Sequence, residues 1–123
     1  MILLLAVMAM VLLSTTTMAM LAVSVTEPII ANNLLLGSQA FYLAESGLEI
    51  ALGILNANVP LVAVTGSLAG GTYAITFSVE GVDRVHVRSV GRIASAVRMV
   101  SNRFERDAEG VWRPLKQFRE EAP

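Results

Sequence analysis

The chain has 123 residues, no cysteine and a formal net charge of −1. The length bounds it to one domain plus an anchoring segment, and the lack of cysteine excludes disulfide staples and thiolate metal sites, so any folded part stands on its core alone. The mean hydropathy of +0.64 comes mostly from residues 1–25, and the charge is split: residues 1–56 carry Glu27, Glu45 and Glu49 and no base, whereas residues 57–123 carry nine Lys/Arg against seven Asp/Glu.

Residues 1–26 are the first element. From Met1 to Val25 the chain reads MILLLAVMAMVLLSTTTMAMLAVSV, and the first ionisable side chain is Glu27. About 20 apolar residues suffice to span a bilayer as one helix, so a transmembrane helix is predicted here. No Lys or Arg precedes it, whereas a signal peptide or signal anchor carries a basic n-region. The expectation is therefore a processed N-terminus, or the loss of something charged ahead of it. Ser14, Thr15, Thr16 and Thr17 are unusual in mid-span. Their hydroxyls bond back to carbonyls one turn earlier or across to a neighbouring helix.

Glu27-Pro28 interrupts the apolar run. Pro28 lacks an N–H and clashes with the preceding turn, which predicts a kink or unwound backbone over residues 27–33. Over residues 34–56 a helical period returns. Leu34, Phe41, Leu48 and Leu55 fall seven apart, and Gly37, Ala44 and Ala51 lie on an adjoining line, with Leu52 close by. Together they make one apolar stripe, with Tyr42, Glu45 and Glu49 on the other side. Asn32 or Asn33 is a candidate cap at the start, and Asn56, Asn58 and Pro60 end the helix. As one helix, residues 2–55 would measure roughly 80 Å at 1.5 Å per residue. That is far more than a bilayer needs, so half of it must pack on something else.

Residues 57–123 read as an antiparallel β head. Residues 56–71 are a linker and turn region, punctuated by Pro60, Gly66, Gly70 and Gly71. The period then switches to two: Tyr73, Ile75, Phe77 and Val79 alternate with Thr72, Ala74, Thr76 and Ser78. After a turn at Gly81-Val82-Asp83, Val85 and Val87 alternate with Arg84, His86 and Arg88. A turn at Gly91–Ser95 leads to a strand over 96–106, bulged or two-sided, because Val97 and Met99 point opposite to Val100 and Phe104. Asp107–Gly110 turns into a last strand over 111–119, where Pro114 requires an edge or a bulge. The apolar faces of helix and sheet both need a partner, and burying one on the other satisfies both. The expected fold is α+β: a long N-terminal helix, kinked near Pro28, whose C-terminal half packs on a small antiparallel sheet of about four strands.

No residue pattern announces catalysis, a cofactor or a metal. His86 is the single histidine, with Glu80 and Asp83 near it only in sequence, and reads as a strand surface residue. Ser46-Gly47 sits in a helical pattern and lacks the G-x-S-x-G of a nucleophile elbow. Gly66–Gly71 lacks the lysine of a phosphate-binding loop. Glu45 and Glu49, one turn apart, form a solvated face or meet basic groups on a neighbour. Arg84, Arg88, Arg92, Arg98 and Arg103 are too dilute to support nucleic-acid binding, so DNA stays a conceivable but unsupported partner.

The stretch Ala40-Phe41-Tyr42-Leu43-Ala44-Glu45-Ser46-Gly47-Leu48-Glu49-Ile50-Ala51 resembles the A-x-x-A-E-A/S-G-L-E-x-A stretch of PilX-type minor pilins, within the type IV pilin and pseudopilin superfamily. Leu68–Tyr73 resembles the first head strand of that group. Ser89–Arg92 with Ala96–Arg98 resembles its next hairpin, and Asp107–Trp112 with Phe118-Arg119-Glu120 its C-terminal ending. The resemblance implies a non-enzymatic subunit that waits in the inner membrane after a prepilin peptidase removes a short basic leader. Assembly machinery then draws it into a helical homo-oligomeric filament at the cell surface. Met1 would be the mature, often methylated, first residue. Most pilins carry a Glu at the fifth position, where this chain has Leu5, so pairing of that carboxylate with a neighbour's terminal amine is not expected.

The candidate assembly residues are Leu12, Leu13 and Thr16 in the span, with Met1 and Leu5 at its start. Glu27 and Pro28 stand at the break, and Leu34, Phe41, Glu45, Leu48 and Glu49 in the second helical part. The split charge adds an attraction between heads and neighbouring stems that salt weakens. Two alternatives stand beside the filament subunit: a minor pilin or pseudopilin that primes assembly, and a single-pass membrane-anchored β-sheet binding domain.

Overall fold

The structure, a computed structural model, describes residues 1–115 and the backbone of 119–121. It has one helix, α1 (Ile2–Asn56), followed by strands β1 (Val64–Leu68), β2 (Gly71–Val79), β3 (Arg84–Ile93), β4 (Ala96–Arg106), β5 (Trp112–Pro114) and β6 (Arg119–Glu121). The chain divides into two compact units, Met1–Leu34 and Leu35–Pro123.

The first unit is helix throughout. The unwound segment expected over 27–33 is absent, and so is a fresh helix start capped by Asn32 or Asn33, because these residues lie inside α1. Pro28 removes a single rung of the ladder, and propagation adds a bond for each further residue fixed, so helix persists on both sides. Ahead of the proline, the Thr26 hydroxyl donates to the carbonyls of Ala22 and Val23 at 3.0 and 3.1 Å.

In the second unit the remainder of α1 lies on an antiparallel sheet, giving the α+β architecture. The sheet order is β1-β2-β3-β4-β5, and β6 also pairs with β4. β5 opposes Phe104–Arg106 and β6 opposes Met99–Ser101, so the two short strands share one edge of β4. Pro114 ends β5 on that edge, where no ladder bond is needed from it. The expected final strand over 111–119 is thus two short strands, and residues 116–118 lie outside the described residues.

Two other expectations change. β1 falls in what reads as linker. It pairs with β2 through a two-residue turn, Ala69-Gly70, in which both residues take positive φ (50° and 81°). That is the geometry whose twist suits a tight hairpin. The 91–95 turn shrinks to Ala94-Ser95, with Gly91 inside β3. β4 carries no bulge against β3: its register runs unbroken from Arg84↔Glu105 to Ile93↔Ala96. The other expected form, a two-sided strand, is the one found, with Val100 and Phe104 buried toward the helix and Val97 and Met99 half-buried on the other face.

The core joins Ala44, Leu48, Ala51 and Leu55 of α1 to Ile75, Val85, Val87, Val100 and Phe104 of the sheet. Leu34, expected on the buried stripe, is exposed. The stripe enters the core later, from Gly37 and Ala40 onward. Helix and sheet approach closely because glycines stand on both sides. A Cβ on Gly91 would run into the Ala40 carbonyl oxygen and come within 2.7 Å of the Ala44 nitrogen. A Cβ on Gly47 would strike the Ser89 hydroxyl. At the far end Asn56 Oδ1 accepts from the Trp112 N–H at 2.9 Å, tying the helix terminus to β5.

Ser89 is fully buried and its Oγ has no hydrogen-bond partner among the described residues. A buried hydroxyl left unpaired costs about 1–3 kcal/mol. Ser89→Ala should therefore leave thermal stability unchanged or raise it. Gly47→Ala should lower stability by about 1–3 kcal/mol through overpacking, and Ser89→Ala should relieve part of that loss, since it removes the atom the new methyl meets. Additive effects in this double-mutant cycle would refute the contact.

Candidate assembly surface

The candidate residues fall into both units, each of which presents a different kind of surface. In the first unit every residue from Met1 to Leu34 is exposed. The segment is apolar enough to cross a membrane, with a mean hydropathy of 2.2 over 18 residues, none of them buried. Met1, Leu5, Leu12 and Leu13 project large apolar side chains into the surroundings, as do Ile29, Ile30 and Leu34. An apolar exposure of this extent, broken by Glu27, makes the segment a candidate membrane span.

The hydroxyl run makes the first of the two bonding patterns read from the sequence, back to carbonyls of its own helix. Ser14 donates to Val11 O at 2.9 Å, Thr15 to Val11 O and Leu12 O, Thr16 to Leu12 O and Leu13 O at 3.0 and 2.9 Å, and Thr17 to Leu13 O at 2.6 Å. All four protons stay within their own helix. Glu27 closes a shallow groove lined by Ala19, Met20, Val23 and Ser24.

In the second unit the listing by sequence divides. Leu48 is a core residue of its own head, 6 % exposed, so its apolar side chain is taken up inside the chain rather than by a neighbour. Phe41 is half-buried against the core, and its ring meets Tyr42 edge-on, with centroids 6.1 Å apart. Glu45 and Glu49 remain outside. They rim a groove of about 390 Å³ whose other walls are Tyr42, Ser46, Leu48, Leu52, Asn102, Phe104 and Pro114. Sequence spacing placed Tyr42, Glu45 and Glu49 on one helical face. It could not place Asn102, Phe104 and Pro114 opposite them, because that juxtaposition depends on strand pairing. The one local hint was Pro114, which fixes where an edge strand stops.

The arginines do not form one patch. Arg98 lies on the inner face beside Gly37, 3.3 Å from where a Cβ there would stand. Arg84, Arg88 and Arg92 alternate onto the outer face of β3 together with half-buried His86. Arg84 pairs with Glu105 at 3.0 Å and Arg103 with Glu80 at 3.1 Å. At the β4–β5 turn, Asp107 accepts from the N–H groups of Val111 and Glu109 at 2.9 and 3.0 Å and meets Arg113 at 2.8 Å. The Val111 N–H above all holds the Asp107 carboxyl below the usual carboxylate range; desolvation opposes it, and the Glu109 N–H with the charge and hydrogen bond of Arg113 carries the balance downward. Among the described residues no three of His, Cys, Asp and Glu gather as metal ligands would.

No protein-family model, curated protein or solved structure matches this chain.

Proposed function

We propose that the chain is a structural subunit of an extracellular type IV pilus-like filament, held first in the inner membrane by residues 1–26 and then packed with copies of itself through the same surface. The observation that carries this reading is the contrast within α1. From Gly37 onward the helix buries a stripe on its own sheet, whereas the residues up to Leu35, predominantly apolar, are buried nowhere. Apolar area recovers about 25 cal/mol per Å² when removed from water, so this segment gains most from lipid or from like helices. The A-F-Y-L-A-E-S-G-L-E-I-A stretch over 40–51 and the order of helix and sheet add the resemblance to pilins. In this reading prepilin peptidase and the pilus assembly machinery are the partners that process and extract the subunit.

One observation favours a second reading, a single-pass anchored β-sheet binding domain: the satisfied hydroxyls of residues 14–17 let the helix face lipid without any neighbour. Leu5 in the place of the usual Glu favours a minor, assembly-priming subunit within the family.

The test is to shear producing cells and examine the released material by electron microscopy and mass spectrometry. Filaments built mainly of this chain are expected. Recovery of the chain from the membrane fraction alone would overturn the filament and leave the anchored domain; a trace within filaments of another protein would make it a minor subunit.

A further inference from the structure

We infer that the groove between α1 and the β4–β5 edge receives an arginine from the outer sheet face of a second copy of this chain, and that Arg92 is that arginine. The inference deepens the filament reading and rests on it, because a groove on one surface and an arginine on another make a head-to-tail contact, the kind that builds an open filament unless its rotation closes into a ring.

The groove has the composition that suits a guanidinium on an aliphatic stem. Leu48, Leu52, Phe104 and Pro114 give it apolar walls, Tyr42 adds an aromatic ring, and Glu45 and Glu49 stand one helical turn apart on its rim. An arginine lays its methylenes on apolar surface while its head stays polar. Its planar fork satisfies carboxylates, and its cation is drawn to an aromatic face. Among the described residues neither Glu45 nor Glu49 meets a base. Nothing in the groove's own helix supplies one, since residues 1–56 contain no Lys or Arg.

The source is narrowed by what the other arginines already do. Arg84, Arg103 and Arg113 face carboxylates of their own chain. Arg106 Nε donates to the Gly110 carbonyl oxygen at 3.3 Å, Arg98 lies at Gly37 on the inner face, and Arg88 already has an interaction partner. On the outer face of β3, Arg92 is exposed and stands between Thr72 and Val97 in register, with no acid across from it on either neighbouring strand. It sits one residue short of the end of β3, beside the Ala94-Ser95 hairpin, where a neighbour can approach without meeting the body of the sheet.

The absence of native cysteine makes a direct test clean. Two full-length chains of different tag size, one Glu49→Cys and the other Arg92→Cys, are co-expressed in producing cells and oxidised gently. Sheared and membrane fractions are then resolved without reductant. A mixed-size cross-link is expected from this pair and not from Glu49→Cys with Val82→Cys, Val82 being exposed in the turn at the opposite end of β3. With cysteines absent, Glu49→Arg and Arg92→Glu should each make the released assemblies fall apart at lower salt, and the two together should recover the parental salt tolerance. Filaments that form without the mixed cross-link would overturn the docking and leave the filament standing. A mixed cross-link confined to membranes, with no filament released, would support the docking and overturn the filament. Equal cross-linking by the Val82→Cys pair would mean random encounter and refute the assignment.

Discussion

Leu12→Glu combined with Leu13→Glu should remove the chain from the membrane fraction and abolish the proposed assembly, while the head stays folded. Both positions lie near the centre of the 1–26 span and are exposed. A charged residue at a helix centre costs about 3 kcal/mol on insertion scales, so two place the transfer several kcal/mol uphill. A filament core would be no kinder, since a carboxylate buried among apolar helices without a partner is strongly destabilising. Residues 12 and 13 belong to the Met1–Leu34 unit and the sheet to the other, so thermal unfolding of the head should be unmoved. The measurement is alkaline extraction of membranes followed by recovery of sheared material. Normal filaments, or a chain still resistant to extraction, would refute the role given to this helix.

Gly91→Ala should be the most damaging single methyl in the head. The new Cβ would meet backbone atoms of α1, the Ala40 carbonyl oxygen and the Ala44 nitrogen, besides Leu43 Cβ at 2.9 Å. A side chain can rotate aside, but a helix backbone that is itself hydrogen-bonded cannot, so relief requires lifting the helix off the sheet. Overpacking typically costs 1–3 kcal/mol and sometimes more. With backbone as the obstacle the expectation is about 3 kcal/mol or more, a large fraction of the 5–15 kcal/mol that holds a domain together. Gly53→Ala is the matching control. It lies exposed on the same helix with nothing within 4 Å of its Cβ position, and alanine there should stabilise by about 0.5–1 kcal/mol through helix propensity. Thermal melts of the two full-length variants should move in opposite directions, and a mild Gly91→Ala would mean the helix sits farther from β3 than described.

Much of this head could be read from the chain because its signals are local. The heptad spacing of Leu48 and Leu55 and the two-residue alternation of 72–79 and 84–88 follow from how side chains leave a helix or a strand. Glu45 and Glu49 were placed outside for the same reason, and Asn56 ends the helix as its neighbours suggested. The failures have identifiable causes. Of the kink or unwound backbone expected at Pro28, the unwinding is absent, because a long apolar helix runs through it. β1 was missed because Gly66 interrupts its alternation. Tyr73, its register partner, lies against the space where a Gly66 side chain would be, which gives the strand its packing from across the sheet. Leu34 matched the heptad but lies before the point where the sheet begins to cover the helix. The groove was half legible: its helical wall is a pattern, but its sheet wall exists only once β4 and β5 are paired.

The inward-turned hydroxyls of residues 14–17 bear on how such a helix changes company. A side chain that donates to a lipid-facing water or to a neighbouring helix must surrender that bond when its surroundings change, and the exchange acts as friction. Here every proton is held by a carbonyl of the same helix, so rotation, sliding or passage from one apolar medium to another breaks no hydrogen bond. The run gives the segment polar atoms without polar obligations, so that in the proposed filament register between neighbouring helices would be set by the shapes of Met, Leu and Val side chains and by charges that lie farther along the chain.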